Sequence, residues 1–280
     1  MVVDAHQHFI FPSRVHYPWL EDAALAPLRR DFTPEDLQPL LKQCGVDRTI
    51  VVQARSSLEE TRELLQIAAS TDYVAGVVGW VDLRDPEVGR VLDELRALPE
   101  GSYLVGIRHQ VHDEPDPNWL LRPEVECGLA ALEQRGLVYD LLVRTRELPA
   151  ALACVQNFPR LRFVLDHLAK PNIAQGQWDD WLRALKPLAA QPNVWVKLSG
   201  LVTEAHWQNW KPEELAPYIR QALELFGASR SMFGSDWPVC TLAASYAQVK
   251  EALERAIGYP DSAIMGENAR RVYQIPSCVT

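Results

Sequence analysis

Apolar residues cluster in short runs along the chain, and between the runs they recur at helical spacing. The first run is Val2-Val3-Asp4-Ala5-His6-Gln7-His8. The next are Thr49-Ile50-Val51-Val52-Gln53-Ala54, 74–81, Leu104-Val105-Gly106-Ile107-Arg108, 137–143, 161–167, 194–198 and 231–236. Brief apolar runs bounded by turn residues read as buried strands. Thr33-Pro34-Glu35-Asp36 reads as an N-cap followed by proline at the first helical position, and the helix it opens stops at Cys44-Gly45. Further helices are predicted over 58–70, 86–98, 123–135, up to about 158, then 178–190, 212–226, 242–256 and 262–273. The stretch 11–30 is rich in proline and aromatics and too irregular for a helix. Strand and helix thus alternate about eight times. Such alternation implies parallel strands joined by crossover helices, and eight units in a chain of 280 residues predict a single (β/α)8 barrel domain over 1–280, with an extra C-terminal helix. A doubly wound open sheet would carry a glycine-rich phosphate turn after its first strand, and none is present.

Composition narrows the partners. Hydrophobic residues make up 48% and charged residues 23%, ample for one large core. The net charge of −9 and the lack of a basic run exclude a nucleic-acid partner. Five dispersed cysteines without CxxC spacing are expected to be reduced, inert thiols in a cytoplasmic protein. No basic segment precedes the first apolar run, so no signal peptide is expected, and no stretch has the length of a membrane span. Nine tryptophans are many for this length, and some are expected to line a pocket.

In a barrel of this kind the strands' C-terminal ends carry the chemistry. Those ends are His6 and His8; Trp80 and Asp82; Arg108-His109 with His112 beyond; Arg144; Asp166-His167 with Lys170; Lys197 and Ser199; and Gly234-Ser235-Asp236-Trp237-Pro238. Alternation places His6 and His8 on one face. Singly, each has a structural explanation: satisfied histidines, a helix cap, a rim ion pair. Together they put histidines, an aspartate and arginines at the strand ends of one barrel, where burial without a function would carry a desolvation cost. Asp4 is expected to be a structural strand acid, Phe163 and Trp195 core residues, and 59–63 a solvated helix face.

An HxH on strand one, a histidine on a middle strand and an aspartate on strand eight resemble the amidohydrolase superfamily. "DAHQHF", "GIRHQVHDEPDPNWLLRP", "FVLDHLAKP", "VWVKLSGL" and "MFGSDWPVC" are similar to its sugar-lactone lactonase branch, with 2-pyrone-4,6-dicarboxylate lactonase a more distant likeness. The resemblance implies catalytic roles for His6, His8, His167 and Asp236, and a substrate-orienting role for Arg108. The chain departs from the superfamily's metal patterns: strand four ends in Arg108-His109 rather than a bridging lysine or glutamate, and strand five has no terminal histidine.

The expected activity is opening of a small sugar lactone to its aldonic acid, with Asp236 as the general base acting on water. Arg108, His109, His112 and Arg144 are expected to hold ring hydroxyls. Trp80, Trp119 and Trp237 are expected to cover the ring, with Trp19 joining from the first long loop. The expected cofactor is either none or one divalent metal, zinc by donor type, on His6, His8 and Asp236. A metal-dependent decarboxylase of an unsaturated or aromatic acid, or a non-catalytic sugar-acid binding barrel, are the alternatives. Homo-oligomerisation is left open.

Overall fold

The computed structural model describes residues 1–276. Cys278 lies outside them. Eight parallel strands follow one another around the sheet in chain order: β1 Val3–Gln7, β2 Arg48–Val52, β3 Val74–Gly79, β4 Leu104–His109, β5 Val138–Leu141, β6 Arg162–Leu165, β7 Val194–Leu198 and β8 Ser231–Phe233. The ring is drawn shut beyond β8, where Asp236 N donates to His6 O at 2.8 Å and His8 N to Trp237 O at 2.7 Å. The fold is a (β/α)8 barrel.

The outer helices are α1 Pro34–Cys44, α2 Leu58–Ser70, α3 Val88–Ala97, α4 Pro123–Arg135, α5 Leu148–Asn157, α6 Asp179–Ala189, a short α7 Leu201–Glu204, α8 Pro212–Phe226, α9 Tyr246–Ile257 and α10 Asn268–Val272. Proline opens α1, α4 and α8 because its missing N–H costs nothing in the first turn. The helix expected from residue 242 starts later, at Tyr246, where Ser245 accepts from Gln248 N as the cap. The final helical segment is a π-turn, Ala263–Glu267, running into α10. Residues 11–30 hold two 3₁₀ turns, Pro18–Glu21 and Ala23–Leu28.

The barrel interior is layered. Val3, Ala5, Ile50, Val52, Val78, Val138, Val164 and Met232 form its lower core, closed from below by Ala269, Val272, Tyr273 and Ile275. Trp195 packs against this cluster, partly buried, and Phe163 sits in the larger core between sheet and helices. The β1–β2 register shifts between Asp4 and Gln7. That break lets Val3 and Ala5 fill the lower core while His6 and His8 still reach the interior above, which strict alternation forbids. Asp4 is structural as expected. It is fully buried, accepts from Ser235 N (2.8 Å), His6 N (3.1 Å) and Tyr246 OH (2.9 Å), and ties β1 to the turn after β8.

Candidate active site

Four side chains meet at the upper end of the barrel. Asp236 Oδ1 lies 3.4 Å from His8 Nε2, 3.7 Å from His6 Nε2 and 3.8 Å from His167 Nε2. All four residues are buried. Each outer ring nitrogen is tied down. His8 Nδ1 donates to the Val52 carbonyl at 2.7 Å, and His167 Nδ1 pairs with Ser199 Oγ at 2.9 Å. A carbonyl only accepts, so His8 Nδ1 carries the proton of that bond and leaves Nε2 facing Asp236. His6 Nε2 lies 3.2 Å from both His8 Nε2 and Arg108 Nη1.

The backbone is strained here. Asp236 has φ 59°, and His167, Leu168, Ala169 and Lys170 all have positive φ, in a run without glycine. Left-handed geometry costs a non-glycine residue about 1–2 kcal/mol, and runs of it concentrate at functional sites. Two glycines make room for the imidazoles. A Cβ on Gly200, itself at φ 67°, would lie 2.5 Å from His167 Nδ1, and one on Gly234 would lie 2.9 Å from the His6 Cβ.

Beneath the imidazoles lies a buried charge network. Lys197 Nζ contacts Asp140 Oδ2, Asp166 Oδ1 at 3.0 Å and His6 Nδ1 at 3.1 Å. Arg108 Nη1 donates to Asp166 Oδ2 at 3.0 Å, and Tyr273 OH donates to Asp140 at 2.8 Å. Two carboxylates therefore face two cations, with no side chain here more than a few per cent exposed. Burial pushes the Asp140 carboxyl up to about 6 against the pull of Lys197. Burial acts the same way on Asp166, but Lys197, His6 and Arg108 outweigh it and hold that carboxyl well below its usual range. Asp236 is likewise held below the carboxylate range, because the surrounding imidazoles outweigh its burial. Burial lowers His167 to about 4 and His6 well below the ordinary imidazole value. At neutral pH the centre is an ionised carboxylate beside the neutral rings of His6 and His167.

A cavity of about 360 Å³ opens above it, within the range of small-ligand sites. Of the residues the sequence singles out, His8, Arg108, His112, Arg144, His167, Asp236 and Trp19 line it. His109, Trp80, Trp119 and Trp237 do not. On β4 Arg108 points inward, so its neighbour His109 points outward. There it stacks on Trp119 (centroids 4.1 Å apart), accepts from Trp80 Nε1 at 3.0 Å and pairs with Glu114 at 2.7 Å. Trp237 faces away from the cavity next to Asp236, in edge contact with Phe9 and Phe32. The lining also takes in Lys170, named with the sixth strand's end but given no role, and Gln110, Asp113, Glu204 and Trp207, which the sequence did not single out. Lys170 is placed by its position three residues after His167 in "DHLAK"; Glu204 and Trp207 carry no such signal.

The 59–63 run is not wholly solvated. Glu60 is 2% exposed. Its Oε2 accepts from Ala54 N (3.0 Å) and Arg55 N (2.8 Å), holding the loop after β2 whose Ala54 carbonyl accepts from Trp19 Nε1 at 3.0 Å. Amphipathic helix patterning predicted solvent, but the loop's bare N–H groups draw the carboxyl inward. Burial raises Glu60 to about 7, above its unfolded value of 4.5. The folded state therefore binds the proton more tightly. This stability is fully present below pH 4.5 and is lost as pH rises through 7. Glu60→Gln removes the effect. Denaturant titration should show the variant gaining on wild type by on the order of 2–3 kcal/mol between pH 5 and pH 8, and a pH-independent difference would refute the assignment.

The donor set suits a divalent metal. His6, His167 and Asp236 each offer an atom within 4.8 Å of the others, with His8 Nε2 beside them, and nitrogen with carboxylate oxygen is the donor chemistry of zinc. The hydrogen bonds from His8 and His167 to Val52 and Ser199 are of the kind that orients imidazole ligands. His8, expected within the metal set, stands beside the compact trio, and His167 is within it.

The amidohydrolase family matches residues 3–275. Among known proteins, the chain is 42% identical over 285 residues to an L-fucono-1,5-lactonase of Burkholderia ambifaria, covering 98% of this chain and 95% of that one. It is 40% identical to an L-fucono-1,5-lactonase of Burkholderia multivorans, covering 98% and 96%. A crystal structure of an amidohydrolase from Burkholderia multivorans with bound zinc superposes with a TM-score of 0.92 at 38% identity, over 99% of this chain and 100% of the other. Among the described residues no helix is long and apolar enough to cross a membrane.

Proposed function

The chain belongs to the amidohydrolase family, and from that premise we propose that it opens small neutral sugar lactones, of the fucono-1,5-lactone type, to their aldonic acids. The observation that carries the mechanism is the approach of three imidazole Nε2 atoms to one buried carboxylate oxygen, within 3.4–3.8 Å. Hydrolysis needs a water nucleophile, a polarised carbonyl and a proton for the departing ring oxygen. The Asp236 carboxylate accepts, so a water beside it donates a hydrogen bond to it and turns a lone pair toward the substrate, with His8 Nε2 at hand to position it. Asp236 takes a proton as the water attacks the lactone carbon. Arg108, fixed by Asp166, supplies positive charge near the developing oxyanion. Collapse of the tetrahedral intermediate breaks the bond to the ring oxygen, which takes the proton back from Asp236. His112 and Arg144 hold ring hydroxyls, and Trp19 covers an apolar face of the ring.

His6, His167 and Asp236 would hold a zinc ion, which when bound would polarise the carbonyl or acidify water. The steps above are those of the protein's own groups. The decarboxylase alternative gains nothing from β5, whose interior acid, Asp140, is committed to Lys197 and Tyr273. The described cysteines are all free, which supports the cytoplasm as the compartment.

The test is a panel of five- and six-membered aldonolactones followed by proton release at neutral pH. The expected result is acceleration over spontaneous opening for neutral sugar lactones. Rates equal to background across the panel would reject the reading.

A further inference from the structure

We propose that Lys170 and Glu204 form a donor–acceptor clamp that reads adjacent hydroxyls of the lactone and so sets substrate choice; this rests on the lactonase reading. The two side chains line the cavity together with Asp236 and His167. Lys170 Nζ donates to Glu204 Oε1 at 2.7 Å, and both side chains are largely buried, at 16% and 12% exposure. Arg144 Nη1 stands 3.8 Å from Glu204 Oε2.

The pair is more than a tie between two turns. Lys170 ends the left-handed run that begins at His167, and Glu204 ends α7, which starts just past Ser199 and Gly200. Those two segments are already joined by the His167–Ser199 hydrogen bond. The clamp's unused capacity faces the cavity instead. An ammonium has three donors and this one spends one on Glu204; a carboxylate has about four acceptor sites. A donor and an acceptor 2.7 Å apart match a vicinal diol, in which one hydroxyl accepts from Nζ and its neighbour donates to the carboxylate. The pair carries no net charge, so it favours hydroxylated neutral rings. Sites built to hydrogen-bond a substrate hydroxyl discriminate strongly against analogues that lack it, because the site's own polar groups are then left unpaired.

The experiment compares a hydroxylated 1,5-aldonolactone with unsubstituted δ-valerolactone, in wild type, Glu204→Gln and Lys170→Met, alongside each protein's Tm. In wild type kcat/KM favours the aldonolactone. In each variant the ratio of the two kcat/KM values falls about tenfold or more, mostly through the KM of the aldonolactone. If the pair only braces the loops, both substrates lose the same factor and Tm drops with them; that result overturns the proposal. Should Lys170→Met fail to fold, the isosteric Glu204→Gln carries the comparison. A wild type that opens neither compound defeats the lactonase reading itself, which is a different outcome from an unchanged ratio in an active enzyme.

Discussion

Asp236→Asn lowers kcat for sugar-lactone opening by about 10²–10⁴-fold, the usual contribution of a positioned general base. The amide keeps the carboxylate's shape and can still accept one hydrogen bond, so KM should move by less than about tenfold. What it loses is the capacity to take a proton from water and return it to the ring oxygen. The surroundings sharpen the expectation. Asp236 stays ionised although it is buried, its carboxyl held below the usual range, and His167 is neutral above about pH 4. The side chains that approach the Asp236 carboxylate are the imidazoles of His6, His8 and His167, not a second carboxylate. Steady-state kinetics on the preferred aldonolactone settle the point, and near-wild-type turnover would remove Asp236 from the base role.

Lys197→Met destabilises the fold by roughly 3–5 kcal/mol at pH 8, the usual cost of removing one partner from a buried ion pair. Methionine fills most of the volume but leaves Asp140 and Asp166 facing each other with only Arg108, His6 and Tyr273 beside them. The deficit has a predictable pH dependence. Asp140 is already raised to about 6 with Lys197 present, and losing the cation raises it further. A folded-state carboxyl raised above its unfolded value stabilises at low pH and loses that contribution as pH rises. The variant should therefore recover part of its loss at pH 5. Denaturant melts at pH 5 and pH 8 read this directly; a deficit that is equal at both, or under about 1 kcal/mol, would show that the network is not a coupled charge cluster.

Most of the barrel was readable because its signals are local. Proline at N1 and glycine in the left-handed position past the end fix α1 at both ends, and proline opens α8 at Pro212. The candidate chemistry was also accessible, because strand ends are functional in this architecture. Three things were hidden. One is the β1 register break, which brings Val3, Ala5, His6 and His8, four residues of a six-residue span, inside without regard to period two. Another is the left-handed run 167–170, since nothing in "HLAK" announces positive φ in the absence of glycine. The last is pairing across the barrel: Lys197, Asp140, Asp166 and Tyr273 are distant in sequence and find one another only when the ring closes. The outward turn of His109 was, by contrast, available from alternation alone, because on β4 it follows the inward-facing Arg108.

The central claim is that water, deprotonated by Asp236, attacks the lactone carbonyl directly. The most direct measurement is a single turnover in ¹⁸O-labelled water, with enzyme in excess over an aldonolactone and mass analysis of both product and protein. The account predicts one ¹⁸O in the carboxylate of the aldonic acid and none in Asp236. Unlabelled product from that first turnover, with the label appearing in Asp236, would mean that the carboxylate itself attacks, and would contradict the account.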